Sequence, residues 1–246
     1  MVCGGIALHH LPCVGNLCEI LLQENKAKPT PGGILYNVSK NLEAPLSRIL
    51  HPIRVVILFS GNGSNMQNLI EKLHQKTFFL QNKQVRLEIL AGICNQKDAY
   101  GIKRLEAMGI PCTLLLHQDF ASRQDFDDAL MSHLEHLGVD LVLLAGFMRI
   151  LTPKFCQSFR ILNLHPSLLP KFKGAHGMRQ SFESEERVAG VSVHWVNEEL
   201  DGGEIVLQKS LVKIPGERFE DFEERIHALE YEAYPEAVLL ALHAII

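Results

Sequence analysis

The chain has no apolar run of membrane-spanning length, no Cys-x-x-Cys pair, no excess of basic residues, and no internal repeat or low-complexity tract. Each absence closes a class of explanation. Without a long apolar run, no membrane span is expected. The chain's start lacks a basic segment followed by a continuous apolar stretch, so it reads as a poor signal peptide. A formal net charge of −4 argues against nucleic acid or an anionic membrane as the main partner, while a local basic pocket for a phosphate stays compatible with it. The cysteines Cys3, Cys13, Cys18, Cys94, Cys112 and Cys156 follow no disulfide-scaffold pattern, and 246 residues can bury a core without staples. Reduced thiols in a cytoplasmic protein are therefore expected.

What is present is the composition of a soluble globular protein, 47% hydrophobic against 21% charged. Two regions differ in texture. Residues 1–52 carry Gly4-Gly5 and Pro29-Thr30-Pro31-Gly32-Gly33 with no sustained period. They are read as an irregular N-terminal extension, with a short helix near Leu17–Gln23. Its Cys3, His9, His10, Cys13 and Cys18 match no zinc spacing, so no metal is expected there.

Residues 53–246 read as one catalytic domain. Arg54–Ser60 is an apolar, β-branched run, the mark of a buried parallel strand. A helical pattern follows through Met66, Leu69, Ile70 and Leu73. Val85–Cys94 predicts a second strand, and Ala99–Met108 a helix stopped by Gly109. Pro111–Leu116 predicts a third strand. Ser122 is a suitable N-cap for a helix to His136, with Phe126, Leu130 and Leu134 on one face. Val139–Ala145 and Ile161–Leu164 predict two more strands. The rhythm means an α/β, doubly wound, mostly parallel, Rossmann-like sheet. After Arg187 it gives way to an antiparallel C-terminal strand pair, Val188–Val196 and Glu204–Ile214, and then a closing helix from about Arg218.

Three stretches can carry chemistry. Gly61-Asn62-Gly63-Ser64-Asn65 joins the first strand to the first helix, where glycines permit a tight turn and the helix N-terminus offers unpaired N–H groups to a phosphate. Met66 stands where a dinucleotide fingerprint would need its third glycine, and no Lys-Ser/Thr follows as a Walker A loop requires. Asn163 and His165 are two apart, so on a strand end they face the same way, and Pro166 keeps His165 out of helical geometry. An amide donor beside a proton-carrying imidazole suits acyl transfer. Asp201-Gly202-Gly203 closes the last turn. Read alone, each stretch has a plain structural alternative: a tight turn, a solvated loop histidine, an Asp-Gly hairpin.

Together, in order and spacing, they resemble one family. Ser60–Asn65, Ala145–Leu151, Asn163–Pro170 and Leu200–Gly203 are similar to the phosphoribosylglycinamide formyltransferases, folate-dependent enzymes of purine biosynthesis. The resemblance runs from Arg54 to about Leu242. It implies 10-formyltetrahydrofolate as co-substrate, no metal, and transfer of its formyl group to an amine of 5-phosphoribosylglycinamide. It implies Asn163, His165 and Asp201 as catalytic, with Asn163 and His165 donating to the formyl oxygen and Asp201 orienting the imidazole and stabilising its charge. Gly63, Ser64 and Asn65 would hold the acceptor's phosphate and Glu230 its glycinamide end. Arg123, Met148, Arg149, Ile150, Leu151 and Asn163 would meet the folate. His176 matches a family loop histidine. Met178 stands where some members have a second one, and it receives no role.

The expected partners are small-molecule substrates, with neither nucleic acid nor membrane, the chain being a monomer or weak homodimer. Three other readings are weaker. Formyltetrahydrofolate hydrolases carry a regulatory domain ahead of the catalytic one, and 52 irregular residues are too few for it. Formyl transfer to methionyl-tRNA calls for a further domain and a basic surface. A non-catalytic sugar-phosphate module would not need Asn163, His165 and Asp201 together.

Overall fold

The computed structural model describes residues 52–81 and 83–246. The extension, its short helix and its cysteine–histidine cluster lie outside the described residues. The sheet order is β2-β3-β1-β5-β6-β7-β8, with β4 on β3. In chain order the elements are β1 Ile53–Phe59, α1 Ser64–Leu73, β2 Thr77–Leu80, β3 Lys83–Cys94, α2 Gly101–Met108, β4 Cys112–Leu114, α3 Arg123–Leu137, β5 Leu141–Leu144, α4 Pro153–Ser158, β6 Ile161–His165, α5 Gly177–Glu183, β7 Val188–Trp195, β8 Ile205–Val212 and α6 Phe219–Leu242.

The apolar run of β1 is buried because both faces of the sheet are covered. Side chains alternate, so Val55, Ile57 and Phe59 join the core under α1, α2 and α6, while Val56 and Leu58 join the core under α3 and α4. In β5, Leu141 and Leu143 face the first layer, Val142 and Leu144 the second. Each such side chain contributes about 1.5–3 kcal/mol of burial. α3 follows the expected spacing. Phe126, Leu130 and Leu134 are buried, Asp125 N–H donates to the Ser122 hydroxyl at 3.1 Å, and Gly138 ends the helix in the left-handed region.

β1 pairs in parallel with β3 and β5, and β5 with β6. β6 to β7 and β7 to β8 are antiparallel, so the change of direction falls at the strand that carries Asn163 and His165. β2 is an addition to the expected pattern: it pairs antiparallel with the start of β3. The phenolic oxygen of fully buried Tyr234, on α6, lies 3.0 Å from both Leu144 O and Leu162 O, seating the closing helix on β5 and β6. Among the described residues Cys94, Cys112 and Cys156 are free thiols, and no helix is long and apolar enough to cross a membrane.

Candidate active site

The C-terminal end of β6 builds the centre. Asn163 lies opposite His194 of β7, and His165 opposite Ser192. Ser192 then anchors the loop that follows: its hydroxyl donates to Ser167 O at 2.6 Å and accepts from Leu169 N–H at 3.0 Å. The loop folds back far enough for His165 Nε2 to donate to Phe172 O at 2.8 Å. The other ring nitrogen, Nδ1, faces Asp201 Oδ2 at 3.5 Å. Both ends of the buried imidazole thus meet acceptors, so a doubly protonated ring has a partner at each.

Asp201 is fixed in turn. Its Oδ2 accepts from Gly174 N–H at 2.8 Å, and its Oδ1 lies 3.6 Å from His194 Nε2. Burial alone would push its carboxyl up. His194 when its ring is protonated, the Gly174 amide and the neighbouring charge of His165 outweigh that and hold it below the usual carboxylate range. Asp201 and Phe172 both adopt left-handed backbone, φ 49° and 56°. A side chain rarely takes that conformation unless its surroundings hold it there.

His194 was not singled out by sequence, yet it completes the group. Its Nδ1 donates to Trp195 O at 2.8 Å, so Nε2 presents a lone pair, and Asn163 Nδ2 donates to it at 3.2 Å. One N–H of the Asn163 amide is therefore held by protein and the second is left for a ligand. The available signal was a histidine inside an apolar strand, which only the register of β7 on β6 converts into a contact.

Asn163, His165, His194 and Asp201 line a cavity of about 340 Å³ together with Met148–Leu151. That segment is anchored at both ends. Met148 N–H donates to the Ser60 hydroxyl at 2.8 Å, and Thr152 N–H donates to the buried Asp127 Oδ2 at 2.6 Å. In between, Met148 and Ile150 expose 72% and 55% of their surface, a large apolar offer to a ligand. Arg149 lies over the Phe126 ring, and its buried Nε has no hydrogen-bond partner among the described residues. A second hollow, about 520 Å³, runs from Ser60–Asn62 to Gln96 and Asp98–Tyr100 and shares Met148 with the first.

At the head of α1, Gly63 has φ 74° and an added Cβ would meet Gly101 Cα at 2.8 Å, so both conformation and space require glycine. The first N–H to return into the helix ladder is that of Gln67, onto Gly63 O at 2.9 Å. Those of Ser64, Asn65 and Met66 precede it and have no intrahelical partner. The first turn carries no acidic side chain. Arg104 braces the loop from α2, donating through Nε to Asn62 O at 2.8 Å, through Nη2 to Asn62 Oδ1 at 2.9 Å, and through Nη1 to Gln67.

Residues 53–238 match the model of a family described as formyl transferase. The chain belongs to the formyl transferase family. It is 40% identical over 184 residues to the phosphoribosylglycinamide formyltransferase of Haemophilus influenzae, covering 74% of this chain and 84% of that one. A solved structure of the enzyme of that name from Campylobacter jejuni superposes with a TM-score of 0.74 at 47% identity, over 78% of this chain and 98% of that one. The trifunctional purine biosynthetic protein adenosine-3 of Homo sapiens is 37% identical over 189 residues, and the match spans 18% of its length.

Within this formyl transferase the remaining expected residues lie apart from the β6 centre. Glu230 of α6 is 4% exposed and accepts from Asn65 Nδ2 at 2.8 Å, so it stands with the α1 loop. Arg123 begins α3, exposed, and is not part of the cavity wall. His176 is exposed at the start of α5. Met178, to which no role was given, packs as an apolar side chain against the cluster of Ala189, Val191 and Phe222.

Proposed function

We propose that the chain transfers the formyl group of 10-formyltetrahydrofolate to the amine of 5-phosphoribosylglycinamide, giving formylglycinamide ribonucleotide and tetrahydrofolate in purine biosynthesis. The observation that carries this is the grouping of the Asn163 amide, His165 and Asp201 in the wall of one cavity, which shares Met148 with a hollow lined by Ser60–Asn62, the residues just ahead of the glycine-capped α1. The apolar side chains of Met148 and Ile150 and the unpartnered Arg149 Nε suit a partly aromatic, partly polar donor such as a folate. The backbone N–H groups of Ser64 and Asn65 and the Ser64 hydroxyl suit the acceptor's phosphate, and Glu230, bonded to Asn65 Nδ2, suits donor groups next to it.

The amine attacks the formyl carbon, its bond to the folate nitrogen breaks, and the amine's proton is passed to that nitrogen. Negative charge builds on the formyl oxygen meanwhile. The free N–H of Asn163 and the Nε2–H of His165 are the donors for it, typically worth about 3 kcal/mol each. The Nε2–H is given to Phe172 O in this structure, so the formyl oxygen must take that carbonyl's place. Asp201 holds the imidazole from the other side through Nδ1 and stabilises its charge.

The test is formyl transfer measured with donor alone, donor plus the phosphorylated acceptor, and donor plus the dephospho acceptor. Turnover should require the acceptor and prefer the phosphorylated form. Ser64→Ala should raise KM for that form about tenfold and leave KM for the donor unchanged. Turnover without acceptor would point to hydrolysis, and equal use of both acceptors would remove the phosphate assignment.

A further inference from the structure

The loop assigned to the acceptor's phosphate carries no cation of its own. From Ser60 to Glu71 the chain has neither lysine nor arginine. Lys72 closes α1, but its ammonium is engaged by Tyr231 O at 2.8 Å. A helix N-terminus offers roughly half a unit charge, well short of the nearly two on a phosphate monoester. We propose that Arg104 of α2 makes up the difference, as a positioning residue that sets the loop from behind and whose charge gives the site its preference for a phosphorylated acceptor. The proposal rests on the reading that this loop holds a phosphate.

The start of α2 lies against the loop. Gly101 N–H donates to Gly61 O at 3.1 Å, and a Cβ on Gly63 would meet Gly101 Cα at 2.8 Å. Arg104 follows three residues later, on the same face of the helix. Its Nε donates to Asn62 O at 2.8 Å and its Nη2 to Asn62 Oδ1 at 2.9 Å, a two-pronged grip on one residue, while Nη1 donates to Gln67 of α1. In a planar trans peptide the C=O and the next N–H point opposite ways. With Asn62 O turned to Arg104, the Gly63 N–H is turned away from it, and that N–H has no protein partner among the described residues. The grip thus leaves one more N–H for a ligand beside those of Ser64 and Asn65, and polarises it.

The charge of Arg104 is not neutralised by protein. Its three acceptors are neutral oxygens, and among the described residues no carboxylate lies within ion-pair distance of the guanidinium. Exposed Glu71 is one bond further off: the Gln67 amide stands between, accepting from Arg104 and donating to Glu71 Oε1 at 2.6 Å. The Tyr100 ring covers one side of the guanidinium, 4.9 Å from Cζ, and the side chain is half-buried. Water and salt therefore screen it less than they screen a surface lysine. An arginine paired with a carboxylate would add little to the field at the loop, whereas this one adds a full charge.

KM for the phosphorylated acceptor and kcat/KM for the dephospho acceptor, measured on the full chain with Arg104→Gln and Arg104→Lys, test this. Glutamine keeps an amide donor for Asn62 and removes the charge; lysine keeps the charge and gives up the fork. Arg104→Gln should raise KM for the phosphorylated acceptor about tenfold. It should leave kcat, KM for the donor and use of the dephospho acceptor near their wild-type values. Arg104→Lys should stay within about threefold of the wild-type KM. KM does not depend on how much of a preparation is folded, so a lower yield of either variant does not blur the comparison. If Arg104→Lys loses as much as Arg104→Gln, or if both acceptors lose alike, Arg104 is a brace whose charge is not used, and the proposal is overturned. Ser64→Ala separates the two levels. If it raises KM for the phosphorylated acceptor while Arg104→Gln does not, only the proposal falls; if it leaves that KM unchanged, the loop reading falls and the proposal with it.

Discussion

Gly177→Ala puts a methyl group where the structure has none to spare. An added Cβ would lie 2.5 Å from Phe172 O and 2.7 Å from His165 Nε2. Non-bonded heavy atoms settle at about 3.5 Å, so the overlap is roughly 1 Å with the carbonyl and ~0.8 Å with the ring. Neither neighbour is the loose end of a flexible side chain. One is backbone, and the other is an imidazole already engaged at Phe172 and facing Asp201. Helix propensity works the other way, since Gly→Ala gains about 0.5–1 kcal/mol in a helix. Overpacking costs about 1–3 kcal/mol, so the net stability loss should be small and the protein should stay folded. Chemistry is less forgiving, because a displacement near 1 Å costs on the order of 100-fold. Steady-state kinetics should therefore show kcat down by about that factor. KM for the phosphorylated acceptor should hold, because Gly63–Asn65 lie on α1, away from the substitution. A Gly177→Ala enzyme within about twofold of wild-type kcat would refute the placement of His165 against Phe172 and α5.

Three further outcomes are expected. Asn163→Ala should lower kcat about 100-fold, as for a lost oxyanion donor, and His194→Ala about tenfold through loss of the partner that aims Asn163; the double variant should add little to Asn163→Ala, which a double-mutant cycle reads directly. Tyr234→Phe should destabilise by about 1–3 kcal/mol in urea unfolding, because Leu144 O and Leu162 O lose a buried partner, while kcat survives. Asp201 has a depressed folded-state pKa, so its contribution is present above the unfolded value of about 3.9 and is lost as pH falls through the lower folded one. The stability gap between wild type and Asp201→Asn should thus be constant near neutrality and shrink below about pH 4.

The legible parts of the fold were those where local pattern and tertiary burial agree. β1 and β5 announce themselves because both faces are covered and every side chain but Arg54 is apolar, and Ser122 and Gly138 bound α3 with ordinary cap chemistry. β2, α4 and α5 were missed. Thr77–Leu80 is a short strand whose only partner among the described residues is the start of β3, and Pro153–Ser158 and Gly177–Glu183 are too short to show a helical period. At the site, Asn163, His165 and Asp201 were found through their motifs, and the Asp201 link to Gly174 needed coordinates. His194 and Phe172 were not found at all. Each acts through a contact set by strand register or by a loop folding back, and no spacing in the chain encodes those. Arg123 was named on resemblance alone and stands exposed at the start of α3.

The two anchors of Met148–Leu151 also fix its length. Surface loops ordinarily accept extra residues at little cost, since closure entropy grows slowly with length. This span cannot, because its first N–H is held by the Ser60 hydroxyl at the end of β1 and the N–H just beyond it by a buried carboxylate of α3. One residue more would force Thr152 off Asp127, stranding that carboxylate, or lift Met148 off Ser60. Among natural variants of this chain, substitutions should therefore gather within the span, while insertions and deletions should stop at its two ends.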